Sequence, residues 1–176
     1  MQVLFLQPDM KQTFFYAVLF AVLVGKHAVA QVQDPAYNLL LQQLLTHSVK
    51  EISVQEAAAK SSNVVFLDAR EKEEYNVSHL KDAVFVGYDH FDMAALKNIS
   101  KDQRIVVYCS VGYRSEKIAE QLEQAGYSHV TNLYGGIFEW VNEGHAVYDL
   151  TGTTTPNIHP YNTTWGVWLK KGEKVY

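Results

Sequence analysis

The chain has 176 residues, 48% of them hydrophobic and 19% charged, enough for one globular domain plus extensions. A formal charge of −4 without any basic run argues against a nucleic-acid partner. The one cysteine rules out an internal disulfide or a multi-cysteine metal site, and the seven histidines show no pair at metal-ligand spacing, so no metal is expected.

Lys11 opens a short positive region, followed by an apolar run from Thr13 to Val24. Ala28-Val29-Ala30 before Gln31 then has the small-x-small form of a signal-peptidase site. The run is too short to span a bilayer comfortably, so residues 1–30 read as a secretory signal. The mature chain is expected in the periplasm or secreted, with no stable membrane anchor; an uncleaved anchor or a buried helix is the alternative. Met10 is a more natural start for such a signal than Met1.

Asp34-Pro35 marks the start of a helix within residues 31–50, with Tyr37, Leu40, Leu41, Leu44 and Leu45 as its apolar stripe. Ile52 reads as a short strand. Ser53-Val54-Gln55-Glu56 has capping-box spacing and opens an alanine-rich helix to about Lys60. Val64 to Leu67 is a buried strand with Asp68 and Arg70 at its carboxyl end, and a short charged helix spans Glu71 to Val77. His79 lacks an acidic partner at a triad-like spacing and reads as a histidine bonded to backbone at a turn. Ala83 to Val86 is another strand, Phe91 to Leu96 a short helix, and His129 to Leu133 the last strand. Gly135-Gly136 turns into a helix carrying Phe138, Trp140 and Val141. Strands alternating with helices imply parallel pairing in a three-layer α/β domain with a small central sheet. From Thr151 the composition shifts. Trp165 and Trp168, four residues apart inclusive, imply that this tail folds back on the domain.

The stretch with chemical content is Ile105 to Ser115. Ile105 to Tyr108 is a buried strand by composition, and Cys109 ends it, at the edge where α/β sheets keep their ligands. A cysteine in that position is also a common core residue. The residues after it decide between the two: a loop through Ser110, Val111 and Gly112, then Tyr113, Arg114, Ser115 and a helix closed by Gly126. Backbone N–H groups between Ser110 and Ser115 can converge on one point at a helix N-terminus and favour thiolate over thiol. Gly112 permits a tight turn, Arg114 offers a forked charge for an oxyanion, and Ser115 can cap the helix or donate to the sulfur.

Cys109-Ser110-Val111-Gly112-Tyr113-Arg114-Ser115 resembles the Cys-x-x-Gly-x-Arg-Ser active loop of single-domain rhodaneses. Val64 to Arg70 with Glu73-Glu74-Tyr75 and His79-Leu80, and Gly126-Tyr127 with Leu133 to Gly136 and Trp140, resemble two flanking motifs in order and spacing. The resemblance covers roughly residues 52–144 and implies a rhodanese-like domain over 51–148, with a carboxyl-terminal extension over 149–176. It implies a sulfurtransferase in which Cys109 is catalytic and Ser110 to Ser115 bind substrate, supported structurally by Asp68, Arg70 and His79. A small sulfur-containing anion or persulfide is the donor and a thiol, on a small molecule or a protein, the acceptor; no cofactor is implied. Ser110 and Val111 are neutral where thiosulfate-preferring members often carry a basic residue, so thiosulfate is expected to be a poor donor. Two alternatives stay open. One is a non-catalytic binding module. The other is phosphatase or arsenate-reductase chemistry, whose loop has five residues between cysteine and arginine rather than the four found here.

Overall fold

The computed structural model describes residues 32–176. The expected secretory signal lies outside the described residues. Five short parallel strands form the centre: β1 (Glu51–Ile52), β2 (Val65–Asp68), β3 (Val84–Phe85), β4 (Ile105–Tyr108) and β5 (Val130–Leu133), in the spatial order β1-β5-β4-β2-β3. Pleating splits β2, β4 and β5 between two cores, because successive side chains point to opposite faces. On β4, Ile105 and Val107 join one apolar cluster, whereas Val106 and Tyr108 join the other.

Helices cover both faces. Helices α1 (Pro35–Leu44), α2 (Val54–Ala59) and α5 (Gly136–Asn142) contribute to the Val106 face, through Leu41, Ala57 and Phe138 among others. Helix α4 (Tyr113–Gln124) contributes Ile118, Ala119 and Leu122 to the opposite face. The result is the three-layer α/β domain expected, with a small parallel sheet flanked by helices. Two caps follow the local chemistry directly. Asp34 Oδ1 accepts from the Ala36 amide at 2.9 Å, and Ser53 Oγ accepts from the Glu56 amide at 3.2 Å.

Several boundaries differ from the sequence reading. The segment from Phe91 forms only a 3₁₀ turn, Met93–Leu96, whose start Asp92 caps at the Ala94 amide. Helix α1 stops at Leu44; beyond it the Thr46 and Ser48 amides are taken by the buried carboxylate of Glu116 on α4. The reciprocal capping box of the domain is Glu71 with Glu74, at the start of α3 (Lys72–Val77).

The strand ending at Leu133 is the last of the parallel sheet but not of the chain. β6 (Val147–Tyr148) pairs antiparallel with β7 (Thr154–Thr155), and β8 (Asn157–Ile158) pairs parallel with β9 (Glu173–Lys174). These pairs are too short for periodicity to reveal, and they hold the tail against the domain. Ile158 and Leu169 are buried in the Val106-face core, and Trp168 stacks on Tyr37 of α1 at 5.2 Å between ring centres. Between them lies the short helix α6 (Thr163–Gly166), capped by Asn162.

Candidate active site

Cys109 follows β4, the central strand, at its carboxyl end. The loop after it is fixed from below by backbone bonds. The Ile137 and Phe138 amides at the start of α5 donate to the carbonyls of Cys109 (2.9 Å) and Ser110 (3.1 Å). Gly136, with φ +57°, makes this approach feasible: a Cβ there would lie 2.4 Å from the Cys109 carbonyl oxygen. With those carbonyls turned toward α5, the N–H side of the loop is left for the sulfur. The Gly112 N–H donates to Cys109 Sγ at 3.1 Å. Gly112 reaches this position through a left-handed φ of +116°, a conformation that side chains with a Cβ disfavour. The N–H groups of Tyr113, Arg114 and Ser115 follow directly as the first turn of α4, where no intrahelical partner exists for them.

Ser115 is fully buried under the loop. Its hydroxyl lies 2.7 Å from Asn132 Oδ1 and 3.1 Å from the Gly112 carbonyl oxygen, not at the sulfur. Asn132 Nδ2 also donates to the Gly112 carbonyl, at 3.0 Å. The Ser115 hydroxyl therefore does not reach the sulfur; it is used in holding the Gly112 peptide whose N–H faces Cys109.

Arg114 departs further from the sequence reading. Its guanidinium is forked onto Glu74, Nη1 to Oε2 at 2.6 Å and Nη2 to Oε1 at 2.8 Å, with Nη2 also 2.9 Å from Ser110 Oγ. Ser110 Oγ in turn donates to Glu74 Oε1 at 2.8 Å. Burial pushes the Glu74 carboxyl up, but its hydrogen bonds and charge contact with Arg114 outweigh this and hold it below the usual carboxylate range. The outer face of the guanidinium is covered by the Tyr161 ring, 4.8 Å away. Glu74 and Ser110 thus take three of its five N–H donors, and the carboxylate offsets its charge. Glu74, which the sequence reading quoted only as part of a motif, is thus the main missed residue. Its signal was the Glu71-x-x-Glu74 capping spacing, which fixes the start of α3 and aims the carboxylate inward.

Asp68, Arg70 and His79 sit behind the loop. Arg70 Nη2 donates to Asp68 Oδ2 and to the Ser78 carbonyl, both at 2.6 Å, and both ionic side chains are fully enclosed. Asp68 Oδ2 also accepts the Tyr108 hydroxyl at 2.6 Å, and that oxygen accepts the Leu80 amide at 3.1 Å. This network ties β2 and β4 to the turn around residue 79. His79 Nδ1 lies 2.9 Å from the Leu80 carbonyl oxygen, and the ring stacks on Tyr75 at 4.2 Å. None of the three lines the cavity above Cys109.

That cavity has a volume of about 300 Å³. Cys109, Ser110 and Val111 line it, with Tyr113 and Arg114 from α4. Glu71, Tyr88 and Asp89 form a second wall, and Tyr161 and Trp165 of the tail close the third. No sequence pattern pointed to the tail as a wall of this site.

Comparison with known proteins bears on the family and the fold. A family model described as the rhodanese-like domain matches residues 53–143. A sulfurtransferase of Allochromatium vinosum is 30% identical over 100 residues, covering 57% of this chain and 92% of that protein. The tRNA uridine(34) hydroxylase of Hamiltonella defensa is 34% identical over 105 residues, covering 57% of this chain but 28% of that enzyme. The similarity to that hydroxylase thus spans less than a third of its length. Among solved structures, a protein of Bacillus halodurans superposes with a TM-score of 0.54 at 24% identity, over 66% of this chain and 86% of that one, and shares the fold.

Proposed function

The chain belongs to the rhodanese-like domain family, and from that premise we propose that it is an exported sulfurtransferase working through a persulfide on Cys109. The observation that carries the proposal is the Gly112 amide on Cys109 Sγ at the floor of an open cavity. A hydrogen bond of this kind stabilises sulfur-centred negative charge, whether on the thiolate or on the terminal persulfide sulfur. In the first half-reaction the Cys109 thiolate attacks the sulfane sulfur of the donor. The donor's S–S bond breaks, and sulfite or a thiolate leaves with the bonding pair. In the second, a thiolate or cyanide attacks the outer sulfur, and Cys109 departs again as thiolate. The two steps are separate, so ping-pong kinetics are expected.

Thiosulfate is a weak donor in this reading, because Glu74 and Tyr161 already engage Arg114. Polysulfide or an organic persulfide is the better one. The same engagement speaks against phosphoryl or arsenate chemistry, which needs the loop arginine for its oxyanion. Residues 1–30 are proposed to direct export, and a mature protein beginning at Gln31 is the expected result of amino-terminal mapping.

Intact mass tests the central claim. Polysulfide is expected to add one sulfur, about 32 Da, which cyanide removes, and Cys109→Ser is expected to abolish the gain. Reduced wild-type protein that gains no sulfur from polysulfide, thiosulfate or an organic persulfide would overturn the proposal and favour a binding module. Such a module would retain partner capture in the Cys109→Ser variant.

A further inference from the structure

The cavity above Cys109 has an unusual charge balance for a site handling small sulfur anions. Its charged lining side chains are Arg114, Glu71 and Asp89. Arg114 is paired with Glu74, which lies behind it, and among the described residues neither Glu71 nor Asp89 of the lining has an ion-pair partner. Glu71 is half-buried and accepts the Asp89 amide at 3.4 Å, which holds the two acidic residues side by side. The remaining walls are aromatic: Tyr88 on one side, Tyr161 and Trp165 on the other.

The aromatic wall is built, not incidental. Tyr161 takes a left-handed backbone, φ +65°, at a turn whose amide donates to His159 Nδ1 at 3.1 Å, and this presents its ring to Arg114. A non-glycine residue in that region costs free energy and persists only where its surroundings impose it. Trp165 is held by the Asn162 cap on its amide, and Gly166 beside it packs against Pro160, where a Cβ would lie 3.2 Å from the proline ring. All of this lies in the tail, outside the family match at 53–143.

We infer that the organic partner in sulfur transfer at Cys109 is a small thiol, or its persulfide, bearing a protonated amine. The inference rests on the sulfurtransferase reading above and names the substrate class of that same site. The ammonium group sits between the Glu71 and Asp89 carboxylates, and the aromatic walls favour a cation with a short apolar body over a free anion. As acceptor, its thiolate attacks the outer sulfur of the Cys109 persulfide. One S–S bond forms, the Cys109 S–S bond breaks, and the Cys109 thiolate leaves with the bonding pair. The reverse step, with the same atoms, loads Cys109 from the amine-bearing persulfide, so no outside oxidant or reductant enters.

The test uses the purified full chain loaded with sulfur from polysulfide and desalted. Discharge by cysteamine and by 3-mercaptopropionate is followed by intact mass, and the ratio of their rates is compared between proteins, so that the thiols' intrinsic reactivities cancel. The ratio is expected to fall about tenfold in Glu71→Gln/Asp89→Asn, and in wild type to shrink as ionic strength rises. Gln at 71 keeps an acceptor for the α3 cap; should the double variant not fold, Asp89→Asn alone, at an exposed position, is expected to lower the ratio about threefold. Trp165→Leu is expected to lower it as well, by removing a ring face. An unchanged ratio in the folded carboxylate variants overturns the inference while leaving the sulfurtransferase reading intact. Failure to load any sulfur at all overturns that reading instead.

Discussion

Two arginine–carboxylate pairs lie close together in this domain, and they differ in what surrounds them. Arg70 and Asp68 are both fully enclosed, and every contact they make is structural. Arg114 and Glu74 are forked together almost as tightly, but the arginine retains 13% of its side-chain exposure, at the wall of the Cys109 cavity. The first pair fastens strands to a turn. The second does similar work for the loop and also sets the charge that a substrate meets. In the proposed reading, the partner of the loop arginine decides how much of its charge an anion meets.

Breaking each pair separates these roles. Arg70→Met leaves the Asp68 carboxylate buried without its cation and is expected to cost about 3–5 kcal/mol of stability by denaturant unfolding. Arg114→Met leaves Glu74, which lies behind Arg114 at the cavity wall, with the Ser110 hydroxyl and the Glu71 amide, and is expected to cost about 1–3 kcal/mol. Equal losses would show that the two environments do not differ energetically.

Glu74→Gln sharpens the comparison from the other side. It keeps the shape of the pair but releases the Arg114 charge, so kcat/KM for thiosulfate is expected to rise about fivefold, roughly the 1 kcal/mol of one close charge in near-aqueous surroundings. A fall would mean that the paired arginine already serves the donor and that the weak-thiosulfate reading is wrong.

The smallest effect concerns pH. Glu74 is held below its ordinary value of 4.5, so the folded chain binds fewer protons there than the unfolded one. Its contribution to stability is complete above pH 4.5 and disappears as pH falls through the lower folded value. Melting temperature measured against pH is expected to drop less steeply on the acid side in Glu74→Gln than in wild type. Parallel profiles would remove Glu74 from the acid response.

These contrasts also mark the limits of reading the chain alone. The order of strands and helices around Cys109 was legible because each element carries its own signal: a β-branched run from Ile105, a glycine at 112 where φ must be positive, then a helical period to Leu122. The scaffold role expected of Asp68 and Arg70 came from the family resemblance, and the two side chains do meet each other. The Ser115 hydroxyl meets the Gly112 carbonyl three residues back and Asn132 on β5, and the second contact lies beyond the reach of a local pattern. The short strand pairs of the tail escaped because two residues cannot display a period.

By itself, then, the sequence determined the fold class and the loop that carries Cys109, since those depend on local backbone preference and on apolar runs that must be buried. Only the tertiary structure decided what that loop presents to a substrate. The partner of Arg114 lies 40 residues before it and the aromatic wall begins about 50 residues after it, too far apart for any local pattern to report. Charge and shape at the cavity come from side chains converging across the fold, and convergence is a property of packing.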